Sequence, residues 1–162
     1  MATQGNTILS EGIPQLKDAF VVIVKTEWNA HLVDALEEGC IKILRENGAS
    51  FITLTVPGAV EIPFATKAYA QSNRRKADAF IAIGTVIRGG TPHFEYVCNM
   101  VTEGITQLNL SLPSPVIFGV LTVNTEEEVI ERTGGIHGHK GEEAAVTALK
   151  MIALNRSLHK TE

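Results

Sequence analysis

The chain has 162 residues, of which 44% are hydrophobic and 20% charged, with a formal net charge of -4. That size and balance fit one soluble globular domain with a sizeable core. The acidic excess argues against nucleic acid, whose binders carry a basic face, and no apolar run approaches the roughly 20 residues that a membrane-spanning helix needs.

The first 16 residues are polar and punctuated by Gly and Pro, with one apolar patch at Ile8-Leu9, and read as an N-terminal arm. They contain neither a basic n-region nor an apolar h-region, so no secretory signal is read and a cytoplasmic location is expected. Asp18–Val24 is a strand apolar on both faces, as parallel strands are. Leu32, Leu36, Cys40, Ile43 and Leu44 then recur at helical spacing, and Asn47-Gly48 stops that helix. Phe51–Val56 is a second strand, closed by Pro57-Gly58 and followed by a helix from about Val60 to Ser72. Asn73-Arg74-Arg75-Lys76 reads as a solvated turn. Cys40 and Cys98 both fall in helical stretches, where reduced packing is their simplest role.

Residues 79–100 are the most informative stretch. Ala79–Ile83 is a buried strand, and the chain then passes through a Gly-rich turn carrying Arg88, Gly89, Gly90 and Thr91 to Pro92 and His93, which open a helix to about Leu110. Proline suits a first helical position, and Thr91 before it is expected to cap. Glycines that empty into a helix N-terminus make an anion site, because free backbone N–H groups converge there. His93 lies beside it as a proton-transfer candidate. A structural corner with a surface histidine is the plainer reading of the same residues.

Two prolines make Ser111–Pro115 a loop, and Val116–Thr122 is the fourth buried strand. Glu126-Glu127-Glu128 suits the first turn of a short helix ending near Arg132, since acids complement the helix dipole there. His137 and His139 invite a metal, but two imidazoles without an obvious third ligand fall short of a zinc site. The segment therefore reads as a flexible, Gly-rich loop that helps cover a pocket, flanked by Arg132 and Lys140, either of which suits phosphate. An Ala-rich helix led by Gly141 follows and frays from Leu154, with 157–162 as a tail.

Strand and helix alternate four times, so the expected architecture is α/β: a three-layer α/β/α sandwich around a four-stranded parallel sheet of flavodoxin-like layout, in a single domain over 1–162. Ligands of such sheets bind beyond the carboxyl ends of the strands. That edge gathers Trp28 and Asn29, then Ala59, Val60 and Glu61, then Thr85 to His93. Trp28 can stack a flat heterocycle, Glu61 can accept from hydroxyl or amino groups, and the backbone at Val86 and Ile87 can read a pyrimidine edge. Taken singly, Trp28 could be a packed cap and Glu61 a helix-start carboxylate; their convergence on one edge favours a site.

Over residues 18–156 the chain resembles the 6,7-dimethyl-8-ribityllumazine synthases of riboflavin biosynthesis. The likeness rests on Trp28-Asn29, VPGAVEIP at 56–63, GTVIRGGTPHFEYV at 84–97, PVIFGVLT at 115–122, Glu131–Gly134 and Gly138–Gly141. The resemblance implies a transferase that condenses 5-amino-6-(D-ribitylamino)uracil with 3,4-dihydroxy-2-butanone 4-phosphate, using no metal or organic cofactor. It gives Trp28 the ring-stacking position, Asn29, Ala59 and Glu61 the ribityl chain, and Val86 and Ile87 backbone contacts to the ring, with Val60 and Thr85 beside them. Gly90, Thr91 and Arg132 take the phosphate and His93 the proton transfers. Phe118 and Lys140 match positions that reach the pocket from a neighbouring subunit.

The resemblance further implies a homo-oligomer built of pentamers. In it, Thr7 to Ser10 would add a strand to the adjacent subunit's sheet, and riboflavin synthase is an expected associate. The short Gly134–Lys140 connection points to a 60-subunit shell rather than a lone pentamer. Three positions depart from the family pattern: His139 stands where Asn is usual, Glu142 where an apolar residue is frequent, and Val60 where an aromatic is often found. Two rivals share the layout. A flavodoxin-like electron carrier would need a hydroxyl- and glycine-rich loop after the first strand, which Lys25–Ala30 is not. A non-catalytic flavin- or lumazine-binding protein could keep the same pocket, although His93 and Arg132 together favour an enzyme.

Overall fold

The structure is a computed structural model that describes residues 11–159. The expected added strand at Thr7–Ser10 lies outside the described residues. Four strands, β1 (Phe20–Thr26), β2 (Ser50–Val56), β3 (Ala79–Ile87) and β4 (Val116–Val123), form one sheet in the order β2-β1-β3-β4. All three pairings are parallel. The expected α/β sandwich is therefore what the chain forms.

Alternation along β1 explains the layers. Val21 and Ile23 point to one face, where they meet Leu36, Cys40 and Leu44 of α1 (Ala30–Glu46) and Ala145, Leu149 and Ile152 of α5 (Lys140–Leu158). Val22 and Val24 point to the other, against α2 (Ile62–Ala70) and α3 (His93–Ser111). Side chains of a strand alternate faces, so a strand apolar at every position must be covered twice. A smaller cluster of Leu32, Val123 and Val129 seats α4 (Glu126–Ile130).

The chain goes from β1 outward to β2 and then back past β1 to β3. The strand order thus reverses between β1 and β3, and the crevice beyond their carboxyl ends is where open α/β sheets bind ligands. The opposite end is closed by polar ties. Asp78 accepts from the Phe20 N–H (2.8 Å) and from Arg156 Nη2 (2.9 Å), and Arg156 Nη1 donates to Asp18 (2.8 Å). Arg156 holds the Asp18 carboxyl below the usual carboxylate range.

Several local expectations change. β3 continues four residues past Ile83, because Gly84 to Ile87 pair with Val120 to Val123 of β4. Arg75 does not merely face water: its guanidinium stacks 4.3 Å from the Phe20 ring centroid and donates to Ser50 Oγ (3.2 Å). The segment read as a flexible loop is an antiparallel ribbon of β5 (Thr133–Gly135) and β6 (Gly138–His139). Gly134 and Gly138 supply the left-handed φ values, 116° and 74°, that this tight ribbon requires. Finally, α5 does not fray at Leu154 but runs to Leu158, where Arg156 anchors its last turn.

Both cysteines are free thiols. Burial, with the nearby Glu37 charge as a smaller cause, pushes the Cys40 thiol up from the ordinary 9.0 to about 12. The folded state holds this proton more tightly than the unfolded chain does. Stability is therefore intact below pH 9 and is lost as pH rises towards 12, at up to about 1.4 kcal/mol per pH unit. Urea unfolding across that range should show this slope in the native protein and a shallower one in Cys40→Ala.

Candidate functional site

The crevice at the switch point holds a cavity of about 640 Å³. Each wall is built by one strand–helix connection. After β1, Trp28 is held by its backbone, its N–H donating to Pro57 O (3.0 Å) and its carbonyl accepting from Thr26 Oγ1 (3.2 Å). Its ring is left 75% exposed at the cavity wall, so it is no packed cap. Asn29 adopts φ 60°, ψ 35°, a left-handed conformation that Asn tolerates better than most residues. Instead of capping α1, its side chain crosses the switch point, and Nδ2 donates to the buried Thr85 Oγ1 (3.1 Å). Backbone strain of this kind, held by a cross-strand bond, is typical of functional sites.

After β2, a 3-10 turn, Ala59–Glu61, carries Ala59, Val60 and Glu61 into the second wall. Glu61 precedes α2, yet its carboxylate caps no backbone group. It therefore keeps its acceptor capacity for something else. After β3, Thr85, Val86 and Ile87 form the floor, and Gly89, Thr91 and His93 the third wall. Pro92 stands at the cap position of α3 and no side chain caps it, so Thr91 does not do the capping expected of it. The N–H groups of the first turn are left without a side-chain acceptor, the condition under which a helix start holds anions.

Ten of the fourteen residues singled out in the sequence line this one cavity: Trp28, Asn29, Ala59, Val60, Glu61, Thr85, Val86, Ile87, Thr91 and His93. Gly90 lies between two lining residues without lining it. Arg132 stands back from the wall, its Nη1 donating to the Glu128 carbonyl (2.7 Å). Phe118 and Lys140 line a different hollow of about 480 Å³ along β4, the last strand in the sheet order, and the start of α5. There Lys140 Nζ binds both carboxylate oxygens of Glu143 (2.7 and 2.8 Å). Glu126, Phe94 and Val97 complete the first cavity. Sequence reasoning missed them because Glu126 looked sufficiently explained as a dipole-matching acid; its position directly after β4, at the same sheet edge, is the signal that could have found it.

The family model for 6,7-dimethyl-8-ribityllumazine synthase matches residues 18–156, which include every residue lining this cavity. The chain belongs to that family. It is 49% identical over 149 residues to a 6,7-dimethyl-8-ribityllumazine synthase of Porphyromonas gingivalis, covering 90% of this chain and 91% of the relative. It is 44% identical over 144 residues to one from Cytophaga hutchinsonii (87% and 89% covered). A third relative of that name, from Christiangramia forsetii, is 41% identical over 162 residues, with 96% of each chain covered.

Within a lumazine synthase framework, the departure at His139 has a physical explanation. Its Nδ1 accepts from the Glu142 N–H (3.4 Å) and so caps α5, a task that Asn also performs. The bulkier ring has room because α1 carries Gly39 opposite it; a Cβ there would lie 2.1 Å from the ring. The imidazole is occupied in capping and packing rather than directed at the pocket. Glu142 meets Lys42 of α1 (2.9 Å), an added tie between the helices.

Proposed function

We propose that the chain condenses 5-amino-6-(D-ribitylamino)uracil with 3,4-dihydroxy-2-butanone 4-phosphate to 6,7-dimethyl-8-ribityllumazine, releasing phosphate and water, as a cytoplasmic step of riboflavin biosynthesis. The observation that carries this reading is one cavity holding an exposed tryptophan and an uncapped helix start with a histidine, in a chain of this family. Such a reaction asks chiefly that two substrates be held face to face, a problem of entropy and orientation. Trp28 stacks on the pyrimidine, the backbone of Val86 and Ile87 reads its edge, and Asn29, Ala59 and Glu61 take the ribityl hydroxyls. Gly90, Thr91 and Arg132 hold the phosphate. His93, at the first position of α3, moves protons during imine formation and phosphate loss.

Phe118 and Lys140 serve the cavity of a neighbouring copy, since in their own chain they line a different hollow. Self-association is supported by the exposed apolar side chains of Phe118 and Met151 in that hollow, of Leu154 further along α5, and of Tyr96 and Met100 along α3. The outer edge of β2, unpaired among the described residues, offers backbone groups to an added strand such as Thr7–Ser10 of a neighbour. The assembly is a pentamer or a shell of pentamers, to which riboflavin synthase can attach.

The test is to mix both substrates with the protein and follow absorbance. A lumazine band that grows faster than in the uncatalysed mixture, with inorganic phosphate released in step, supports the enzyme. Riboflavin binding without either signal would replace it with a binding module.

A further inference from the structure

Arg88 is not among the residues that line the cavity, yet it packs on Phe94, which is, and joins the start of α3 to the end of β4. Its N–H donates to Val123 O (2.9 Å), which roots it where β3 and β4 end. Its guanidinium lies 4.2 Å from the Phe94 ring centroid, and Nε donates to Asn124 Oδ1 (3.1 Å). Nη1 binds the Glu95 carboxylate in the first turn of α3. The contacts continue on the far side. The Asn124 N–H donates to Glu128 Oε2 (2.8 Å), and the Glu128 carbonyl accepts from Arg132 Nη1 (2.7 Å). An unbroken series of contacts thus runs from the start of α3 through Arg88 to Arg132. The glycines between Arg88 and Thr91 have no comparable support: a Cβ on Gly89 or Gly90 would meet nothing within 4 Å.

We propose that Arg88 is a positioning residue, clamping the Gly89–Thr91 loop against α4 and so fixing the separation between the loop's backbone donors and Arg132. This rests on the reading of that loop and Arg132 as the phosphate site. Arg88 has a second, electrostatic effect. Glu95 suits the first turn of its helix, but its negative charge opposes an anion bound at the same end; pairing with Arg88 cancels that charge. The Arg88–Glu95 pair is about half exposed, 44% and 50%, so its contribution to folding is small and its consequence falls on anion binding.

The experiment uses the assembled full chain, with inorganic phosphate as a competitor of the phosphorylated substrate. Arg88→Gln should raise the inhibition constant of phosphate and the KM of the butanone phosphate about tenfold, leaving the KM of the ribitylaminouracil unchanged and the melting midpoint within a few degrees. Asn124→Ala should raise the same two constants severalfold, because it cuts only the link to α4. Adding Glu95→Gln to Arg88→Gln should recover part of the loss, since the uncancelled charge is gone. Two results overturn the inference: wild-type phosphate competition in Arg88→Gln, or a loss for both substrates that tracks a falling midpoint. If phosphate fails to compete in the unaltered protein, the phosphate site itself is misplaced, and the inference falls with it.

Discussion

Arg132→Ala is expected to lower kcat/KM by about a thousandfold, with most of the change in the KM of the phosphorylated substrate. The guanidinium is only 20% exposed and is held by the Glu128 carbonyl, so it would bind an anion without first losing much side-chain freedom. Removing one partner of such a desolvated charged contact costs about 4 kcal/mol, which corresponds to that thousandfold. His93→Ala should do less. General acid–base assistance contributes on the order of a hundredfold, and the orienting walls remain intact without it. Steady-state kinetics on both variants decide the matter. A His93→Ala protein that is folded and assembled but wholly inactive would mean that proton transfer, not orientation, dominates.

The second large effect concerns the fold. Gly141→Ala should destabilise the chain by about 3 kcal/mol or prevent its folding. A Cβ at Gly141 would lie 1.9 Å from the Leu36 carbonyl oxygen, a contact with backbone that no rotamer change relieves. The first turn of α5 would have to leave α1. That turn carries Lys140, and the Lys140 N–H donates to Arg132 O (2.8 Å), so the displacement reaches the proposed phosphate side of the site. Urea denaturation reads it as a lower midpoint with an unchanged slope. Gly12→Ala, at a glycine whose Cβ would meet nothing within 4 Å but whose φ is 65°, should cost only about 1 kcal/mol.

Legibility in the sequence followed what local pattern can carry. Three strands were readable as nearly continuous apolar runs and β2 as a β-branched and aromatic run closed by Pro57-Gly58, while the helices between them carry apolar residues at 3.6-residue spacing. Most cavity residues followed from topology alone, because connections after parallel strands share one edge. What escaped were features set by a distant partner. β3 runs on to Ile87 only because β4 pairs with it there. The ribbon at Thr133–His139 is hidden behind glycines that look like a loop, and the fit of His139 against Gly39 joins positions 100 residues apart. Arg88 was visible only as a member of the Gly-rich turn: its partners Phe94, Glu95 and Asn124 come together only where the ends of β3 and β4 meet the start of α3.

The most direct measurement is a crystal structure of the assembled protein with the ribitylaminouracil and inorganic phosphate bound together. The pyrimidine is expected stacked on Trp28, with phosphate beside Gly90, Thr91 and Arg132 and His93 between the two. Phe118 and Lys140 of a neighbouring copy would close the cavity. A pyrimidine away from Trp28, or phosphate held at the β4 hollow by Lys140 of the same chain, would contradict it.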